Sequence, residues 1–213
     1  TIPALTNPRQ VAVGNRHACA LDDTGVICWG SNAGGELETL PLQNPRQISA
    51  GAYRTCAVDD SGVHCWGYNN GTAGILVPTF SGPHQISAGA FETCGLDDTG
   101  VRCWGWSDFG QTEVPRLNYP TKVSVGTGYA CALDDTGGHC WGLNDQGQTD
   151  VPYLDQPTKI ATGLKHACAL DNGAVYCWGR NTEGQSTVPY LAHPRDVCAG
   201  DYHTCALDDT GVV

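Results

Sequence analysis

The sequence contains no methionine, and its basic residues are scarce: eleven lysines and arginines stand against 22 aspartates and glutamates. The net charge of −11 opposes contact with phosphate backbones and anionic lipid surfaces. No stretch approaches the roughly 18 consecutive apolar residues that a membrane span needs. We therefore expect no nucleic-acid partner and no membrane insertion. Because the chain begins at Thr1 and lacks methionine, we also expect it to be a processed or excised piece of a longer protein.

Helical patterns are lacking too, since the segments between turn signals are only five or six residues long. These segments are rich in Val, Ile, Thr, Cys and aromatic residues, a composition typical of short strands. The 28 glycines and 12 prolines fall at matching places along the chain and serve as turn residues between the strands. The sequence therefore predicts an all-β protein.

What the chain has in abundance is one phrase, Cys-Ala-Leu-Asp-Asp or a close variant, which occurs six times. The copies lie 37 or 38 residues apart and begin at Cys19, Cys56, Cys94, Cys131, Cys168 and Cys205. A period of this size marks solenoids, propellers and repeat arrays, and its constancy favours one continuous array. We expect a single domain over 1–213, with five complete repeats and one partial repeat of three strands each, at about 8–44, 45–82, 83–119, 120–156, 157–193 and 194–213.

A second cysteine, always within Cys-Trp-Gly, follows nine positions after the first in five copies. The Asp-Asp-Thr-Gly tetrapeptide between the two cysteines suits a tight hairpin turn. If Leu21 faces Val26 across this turn, the two cysteines of the repeat also face each other. A disulfide can then form when they are a close, non-hydrogen-bonded pair. We predict one disulfide in each complete repeat, worth roughly 2.5–3 kcal/mol, at Cys19–Cys28, Cys56–Cys65, Cys94–Cys103, Cys131–Cys140 and Cys168–Cys177.

Two alternatives for these cysteines stay open, zinc binding and buried reduced thiols, although zinc needs two ligand pairs that converge. Cys198 and Cys205 fall outside the pattern. We expect either a disulfide between Cys198 and Cys205 or a disulfide between Cys205 and a cysteine in a further Cys-Trp-Gly segment. Disulfides at this density indicate an oxidising compartment, so the protein is predicted to be secreted or at a cell surface. Asn70, in Asn-Gly-Thr, is a candidate glycosylation site.

The paired aspartates allow two interpretations. They recur at one position of the repeat, where they can simply make one rim of the molecule soluble, or they can bind calcium through carboxylate oxygens. We favour the first interpretation and expect no metal and no cofactor. The chain also has no nucleophile elbow, no His-Glu-x-x-His and no phosphate loop. We therefore expect that it is not an enzyme.

The run Cys-Ala-Leu-Asp-Asp-Thr-Gly-x-x-Cys-Trp-Gly-x-Asn-x-x-Gly-Gln-x-x-Val-Pro, complete at 131–152, resembles the repeats of the regulator of chromosome condensation family. The resemblance covers essentially the whole chain and implies a circular β-propeller of six or seven blades when closed. The repeat length is most similar to that of the secreted bacterial propellers that inhibit β-lactamases. In those propellers the loops that vary between repeats bind the target protein.

Variable residues in this chain occur at two places in each repeat, before the middle strand and after Trp-Gly. In an up-and-down unit of three strands, both places lie at the same end, so we predict a recognition surface there. Aromatic and basic residues of this kind are enriched at interface hot spots, and loops on a rigid scaffold commonly carry binding. The predicted partner-binding residues are Arg16, His17, Tyr53, Arg54, Tyr68, Phe91, Glu92, Trp106, Phe109, Tyr129, Lys165, His166, Arg180, Tyr202 and His203.

The sequence thus predicts an extracellular, non-catalytic β-propeller that binds another protein. Two alternatives are a structural propeller module of a surface fibre, adhesin or matrix protein, which would assemble into a larger structure, and a propeller that binds glycans. In the glycan-binding alternative, the tyrosines and Trp106 would stack on sugar rings. For the histidines at 17, 166 and 203, a hydrogen bond to the preceding turn is the plain structural alternative to a role in binding.

Overall fold

A computed structural model describes residues 2–68 and 76–213. These residues form eighteen strands and no helix, arranged in six antiparallel sheets of three sequential strands each. We call each sheet a blade. The chain divides into two compact units, unit 1 at 1–105 and unit 2 at 106–213, with three blades in each. The predictions of an all-β propeller and of three strands in each repeat are confirmed. In its described part, the chain has no helix long and apolar enough to cross a membrane.

Unit 1 contains blades 1 to 3. Its strands are β1 (Gln10–Val13), β2 (His17–Asp22) and β3 (Gly25–Gly30) in blade 1, β4 (Gln47–Ala50), β5 (Arg54–Asp59) and β6 (Gly62–Gly67) in blade 2, and β7 (Gln85–Ala88), β8 (Glu92–Asp97) and β9 (Gly100–Gly105) in blade 3.

Unit 2 contains blades 4 to 6. Its strands are β10 (Lys122–Val125), β11 (Tyr129–Asp134) and β12 (Gly137–Gly142) in blade 4, β13 (Pro157–Thr162), β14 (His166–Asp171) and β15 (Ala174–Gly179) in blade 5, and β16 (Asp196–Ala199), β17 (Thr204–Asp208) and β18 (Gly211–Val212) in blade 6.

Every blade has two distinct ends. The turn between its second and third strands, where the paired aspartates lie, forms what we call the hairpin end. The turn between its first and second strands and the exit from its third strand form the loop end. The hairpin register is the predicted one, with Leu21 opposite Val26 and Cys19 opposite Cys28. The five predicted disulfides, one in each of blades 1 to 5, are all present.

The sixth expected disulfide is not formed: Cys198 and Cys205 are free thiols, although they face each other across β16 and β17. The hydrogen-bond pattern supplies the reason. The Leu207 carbonyl accepts from Arg195 on the β16 side, so by alternation the backbone groups of Cys205 also point towards β16. Cys198 and Cys205 are therefore a hydrogen-bonded pair, in which the Cα atoms stand farther apart than in the non-hydrogen-bonded pairs that hold the five disulfides.

Neighbouring blades pack through their tryptophans and small middle-strand residues. In unit 1, Trp66 of blade 2 lies in a buried cluster with Cys19 and Leu21 of blade 1. In unit 2, Trp178 of blade 5 lies in a cluster with Cys131 and Leu154. First strands are also tied together in unit 1, where the Gln10 side chain donates to the Ile48 carbonyl (2.8 Å) and accepts from the Ile48 amide (2.9 Å).

The first aspartate of the repeated phrase is a structural residue. The Asp59 carboxylate is buried and accepts hydrogen bonds from the amide and hydroxyl of Ser61 and from the Gln43 amide, each at 2.7 Å. The same bonds recur at Asp22, Asp97, Asp134 and Asp208. They close the hairpin and fasten it to the segment that enters the blade.

These hydrogen bonds outweigh the cost of burial. Burial by itself raises the pKa of Asp59 and Asp134, but the donors around each carboxylate bring the pKa down to about 2. The pKa of Asp97 is also lowered, and the guanidinium of Arg102 adds to the effect there. Among the described residues, no group of three His, Cys, Asp or Glu side chains could hold a metal ion.

Candidate recognition surface

A backbone hydrogen bond joins the two variable segments at the loop end. The Tyr68 amide, just past β6, donates to the Tyr53 carbonyl in the β4–β5 turn at 2.8 Å. Equivalent bonds run from Ser31 to Arg16, from Leu143 to Gly128 and from Arg180 to Lys165. The two variable segments of these four blades are therefore neighbours in space, held by the strands that flank them.

Unit 1 carries an exposed aromatic cluster at the loop end. The Tyr53 ring stacks on Phe91 with centroids 5.6 Å apart and meets Tyr68 edge-on at 6.0 Å. Tyr53 and Tyr68 are 36% and 45% exposed, and Phe91 is half-buried. We call these three residues the aromatic cluster. Arg16 is exposed at the loop end of blade 1.

Two of the predicted residues in unit 1, Arg54 and Glu92, lie beneath this cluster and are buried. The guanidinium of Arg54 donates to the Phe91 carbonyl at 3.1 Å and to the Thr93 hydroxyl at 3.3 Å. The Glu92 carboxylate accepts from the Phe91 amide at 3.0 Å. Burial lowers the pKa of Arg54, and the charge of Glu92 opposes that shift. Both side chains therefore hold the turn that presents Phe91.

His17 is buried as well, at 4% exposure. Its Nε2 lies 2.9 Å from the Thr55 hydroxyl of the next blade. Burial lowers the pKa of His17, and the charge of Glu36 opposes the shift. His17 thus links blade 1 to blade 2 through a hydrogen bond to the next blade, whereas the structural alternative expected a bond to the preceding turn.

Unit 2 also exposes aromatic and basic side chains at the loop end. Trp106 meets Phe109 edge-on at 5.2 Å, and Phe109 is 45% exposed. The Arg180 guanidinium lies 5.3 Å from the ring centre of Tyr202, which is 50% exposed. Lys165 pairs with the Asp145 carboxylate, and that ion pair is partly exposed. His203 is exposed next to Tyr202.

Tyr129 and His166, predicted for the same surface, are instead fully buried in unit 2. The Tyr129 hydroxyl donates to the carbonyls of Gly163 and His166, and burial raises its pKa far above the ordinary value. His166 Nε2 lies 2.9 Å from the Thr204 hydroxyl, and burial lowers its pKa. These two residues join successive blades, as His17 does in unit 1.

Sequence reasoning missed three very exposed tyrosines, Tyr119, Tyr153 and Tyr190, at 82%, 87% and 91%. Tyr153 and Tyr190 belong to two copies of Val-Pro-Tyr-Leu in the segments that lead into the next blade. The carbonyl of Leu154 lies near Gly137 in a hairpin turn, so Tyr153 belongs to the hairpin end. The repetition of Val-Pro-Tyr-Leu in the sequence could have drawn attention to this position. The candidate glycosylation site Asn70 lies outside the described residues.

Comparison with protein families finds the regulator of chromosome condensation (RCC1) repeat in four places, at residues 9–36, 46–71, 84–111 and 158–185. Together these matches cover just over half of the chain. Each contains a Cys-Trp-Gly segment and the hairpin before it. Comparison with curated proteins by sequence gives no match.

Solved structures with a similar fold include plant receptor ectodomains and a yeast protein. The ectodomain of the Physcomitrella patens receptor kinase CR4 has a TM-score of 0.79 at 25% identity, over 96% of this chain and 62% of that one. The CRINKLY WD40 ectodomain of the Arabidopsis thaliana receptor kinase ACR4 has a TM-score of 0.74 at 25% identity, over 93% and 74%. Prp20p from Saccharomyces cerevisiae has a TM-score of 0.79 at 22% identity, over 95% and 70%. The chain therefore spans less than two thirds of the CR4 ectodomain.

Proposed function

We propose that this chain, which belongs to the regulator of chromosome condensation repeat family, is an extracellular, non-catalytic β-propeller that binds another protein. The proposed binding surface is the loop end of unit 1, where the aromatic cluster lies. The stacked, half-exposed rings of this cluster are the observation that carries the proposal.

Two observations support an extracellular location. Five disulfides in one small chain are typical of a protein from an oxidising compartment. Two of the similar structures are ectodomains of receptor kinases, each 25% identical to this chain. An oxidising, extracellular setting is therefore the one that fits the covalent structure of the protein.

The aromatic cluster has the properties of an interface anchor. Its rings contact one another, so each ring has lost part of its rotamer freedom before a partner arrives. Binding then costs less conformational entropy than it would for three independent side chains. The buried pair beneath it, Arg54 and Glu92, fixes the backbone that presents Phe91. Tyrosine adds a hydroxyl that can hydrogen-bond at the edge of an apolar contact.

Unit 2 has its own, more polar set of loop residues. The Arg180 side chain is held over Tyr202 and donates to Glu183 at 2.6 Å. Trp106 and Phe109 supply apolar area. We propose that these residues contact a partner through ring faces and a guanidinium, the side-chain types enriched at interface hot spots.

A binding experiment with matched variants tests the proposal. The immobilised protein is incubated with extracellular fluid from its source, and retained proteins are compared with those retained by Tyr53→Ala/Tyr68→Ala. The control, Tyr153→Ala/Tyr190→Ala, removes two tyrosines that are more exposed. Loss of a partner in the first variant only is the expected result. Equal retention by all three proteins would show that the aromatic cluster is not the binding surface.

The same variants separate the other candidate functions. Binding of a glycan on an array, lost in Tyr53→Ala/Tyr68→Ala, would replace a protein partner by a carbohydrate. A structural module of a fibre, adhesin or matrix protein would retain no soluble partner at either end. Inhibition of a β-lactamase stays a prediction from repeat length, and an enzyme inhibition assay decides it directly.

A further inference from the structure

The exposed second aspartate of the hairpin turn has a side-chain partner in four blades. In blade 1, the Arg9 guanidinium lies 4.0 Å from the Asp23 carboxylate, and the Asn7 side chain donates to the same carboxylate at 2.8 Å. Both partners belong to the segment that enters the blade. One or both of these positions also supply a partner to Asp60, Asp98 and Asp209.

Blade 4 keeps the aspartate, Asp135, but has neither partner. Thr121 stands where blades 1, 2, 3 and 6 have arginine or histidine. Its backbone amide donates to the middle strand at 2.8 Å, as the amide of Arg9 does, so the two positions are equivalent. Tyr119 stands in place of Asn7. In the described part of the chain, Asp135 makes no ion pair and no side chain donates to its carboxylate.

In blade 5 the two charges disappear together. Thr158 stands in the position of the arginine, and Asn172 stands in the position of the aspartate. The Asn172 side chain donates to the Asp155 carboxylate at 2.9 Å instead. Of the six blades that the structure describes, blade 4 is therefore the one that keeps the anion and drops the cation.

An exposed tyrosine takes the place of the asparagine beside Asp135. Tyr119 has a φ of 51°, the left-handed conformation that Asn7 and Asn44 share and from which their side chains reach the second aspartate. The carbonyl of the neighbouring Asn118 accepts from the Asp135 amide at 3.1 Å. Tyr119 is 82% exposed. It therefore presents its ring to solvent from a position next to Asp135.

A second exposed tyrosine, Tyr153, belongs to the segment that enters blade 5 and contacts the same turn. Its neighbours Val151 and Leu154 pack against Gly138, directly after the turn, with side-chain atoms 3.0 and 3.2 Å from the place of a Cβ atom. Tyr153 itself is 87% exposed. Asp135 thus has an exposed tyrosine on each of the two segments that contact its turn.

The chain itself shows which cation fits an aromatic ring and a carboxylate together. The Arg180 guanidinium lies 5.3 Å from the ring centre of Tyr202 and donates to Glu183 at 2.6 Å. Arg102 makes the same two kinds of contact, 5.5 Å from a phenylalanine ring centre and 2.6 Å from a carboxylate. A planar guanidinium can stack on a ring while its edge bonds to a carboxylate, whereas an ammonium group is a point charge.

We propose that the turn of blade 4 is a docking site for an arginine side chain of another protein, bound by Asp135 and stacked on Tyr119 and Tyr153. The positive charge complements a carboxylate that lacks a cation. The net charge of −11 also favours the approach of a basic segment. The site lies within unit 2 at the hairpin end, and its test does not depend on the aromatic cluster of unit 1.

The test follows the isotope-labelled protein by NMR during titration with a capped peptide, Gly-Gly-Arg-Gly-Gly. The control peptide carries citrulline, which keeps the shape of arginine without its charge. We expect the arginine peptide to shift the amide resonances of the turn at 134–137 and to bind about fivefold or more tightly than the citrulline peptide. Equal binding of the two peptides, or shifts that leave this turn unaffected, would overturn the proposal.

Variants of the two charged positions assign the binding to this turn. Asp135→Asn removes the anion, and Thr121→Arg supplies the cation that blades 1 and 2 have. Both changes are at exposed positions, and both should abolish the shifts at 134–137. Asp60→Asn is the matched control, because Asp60 already has Arg46 as a partner, and it should leave peptide binding unchanged. Binding that persists in Asp135→Asn and in Thr121→Arg would show that the proposal is wrong.

The contribution of the ring is tested by Tyr119→Asn, which gives blade 4 the residue of blades 1 and 2. Peptide binding should weaken about two- to fivefold, since the cation loses a ring face. The melting temperature should rise, because asparagine tolerates the left-handed conformation better than tyrosine does. Unchanged affinity in this variant would exclude Tyr119 from the site and contradict the proposal.

This site and the proposed loop-end surface give opposite results with the tyrosine variants described above. A partner held through Asp135 would be lost from Tyr153→Ala/Tyr190→Ala and retained by Tyr53→Ala/Tyr68→Ala. The loop-end partner would show the reverse. Failure of one proposal is therefore distinguishable from failure of the other.

Discussion

The hairpin end and the loop end of a blade use polar residues in opposite ways. At the hairpin end, Asp59 and its counterparts are buried and accept the same hydrogen bonds in blade after blade. At the loop end, the buried polar residues differ between blades, with His17 in blade 1, Arg54 in blade 2 and Glu92 in blade 3. The hairpin end therefore closes blades 1 to 4 and blade 6 in one fixed way. At the loop end the buried side chain varies, with histidine in blades 1 and 5, arginine in blade 2, glutamate in blade 3 and tyrosine in blade 4, so that different residues can be presented to solvent.

This comparison predicts a graded set of effects. Changes in the shared framework should lower stability and leave binding intact in whatever protein stays folded. Changes in the exposed loop residues should abolish binding and leave stability nearly unchanged. The predictions below test this separation, beginning with the largest expected effect on stability.

Removing one disulfide should lower the free energy of unfolding more than any other change in this set. Cys131→Ala/Cys140→Ala opens a loop of about ten residues and should lower the free energy of unfolding by about 2.5–3 kcal/mol. Urea denaturation of the oxidised proteins measures this loss. The Cys198→Ala variant is the control, because Cys198 is an exposed free thiol, and it should stay within about 0.5 kcal/mol of the parent. A similar loss in both would mean that the disulfides contribute little beyond cysteine packing.

Removing one buried carboxylate at the hairpin end should cost about 2 kcal/mol. Asp59→Ala leaves the amides of Gln43 and Ser61 without their acceptor inside the turn, and an unsatisfied buried donor costs about 1–3 kcal/mol. Asp60→Ala, at the exposed neighbour, should change stability by less than about 0.5 kcal/mol. If the two variants unfold at the same urea concentration, the turn does not depend on these bonds.

Acid should weaken the hairpin end specifically. The pKa of Asp59 and of Asp134 is about 2 in the folded protein, below the value of about 4 in an unfolded chain. Their stabilisation is therefore complete above about pH 4 and is lost as the pH falls through 2. Melting temperatures followed by circular dichroism should drop over this range. The melting temperature of Asp59→Asn/Asp134→Asn should be lower at neutral pH and should fall less steeply with acid. Parallel curves of melting temperature against pH for the variant and the parent would contradict this account.

The smallest effect on stability is expected at the loop end. Tyr53→Ala/Tyr68→Ala removes two half-exposed rings, and we expect the melting temperature to change by no more than about 3 °C. Binding of the partner should nevertheless be lost. A large drop in melting temperature would mean that the aromatic cluster belongs to the framework, and the comparison between the two ends would then fail.

The features that the repeat determines, the hairpin register and the disulfide pairing in blades 1 to 5, could be predicted from the sequence. The spacing of Cys19 and Cys28 and the turn between them determine the hairpin register, because an antiparallel hairpin fixes every pair once its turn is known. The expectation that the paired aspartates make one rim soluble fits the exposed second aspartate of a pair, such as Asp60, but is wrong for Asp59, which is buried. The first aspartate is present in all six copies, and the second is replaced only once, by Asn172, so the sequence does not distinguish the buried aspartate from the exposed one.

Contacts between blades could not be read from the sequence in the same way. His17, Arg54 and Tyr129 occupy equivalent positions next to variable loops, and their types are common at interfaces. Their side chains bond instead to residues of the next blade, 34 to 39 positions away. A periodic sequence shows that such a position varies, but it does not show whether the side chain turns outward or towards the neighbouring blade.

The placement of the disulfides also determines how the protein would respond to tension. All five lie within a hairpin, with a sequence separation of nine residues. A pulling force applied at the chain termini would therefore meet no covalent cross-link between blades. Once a blade detaches, its disulfide would keep roughly 30 Å of contour length from extending, at about 3.3–3.6 Å per residue. Reducing agents should lengthen the extension steps of blades 1 to 5 by that amount and leave the step of blade 6 unchanged.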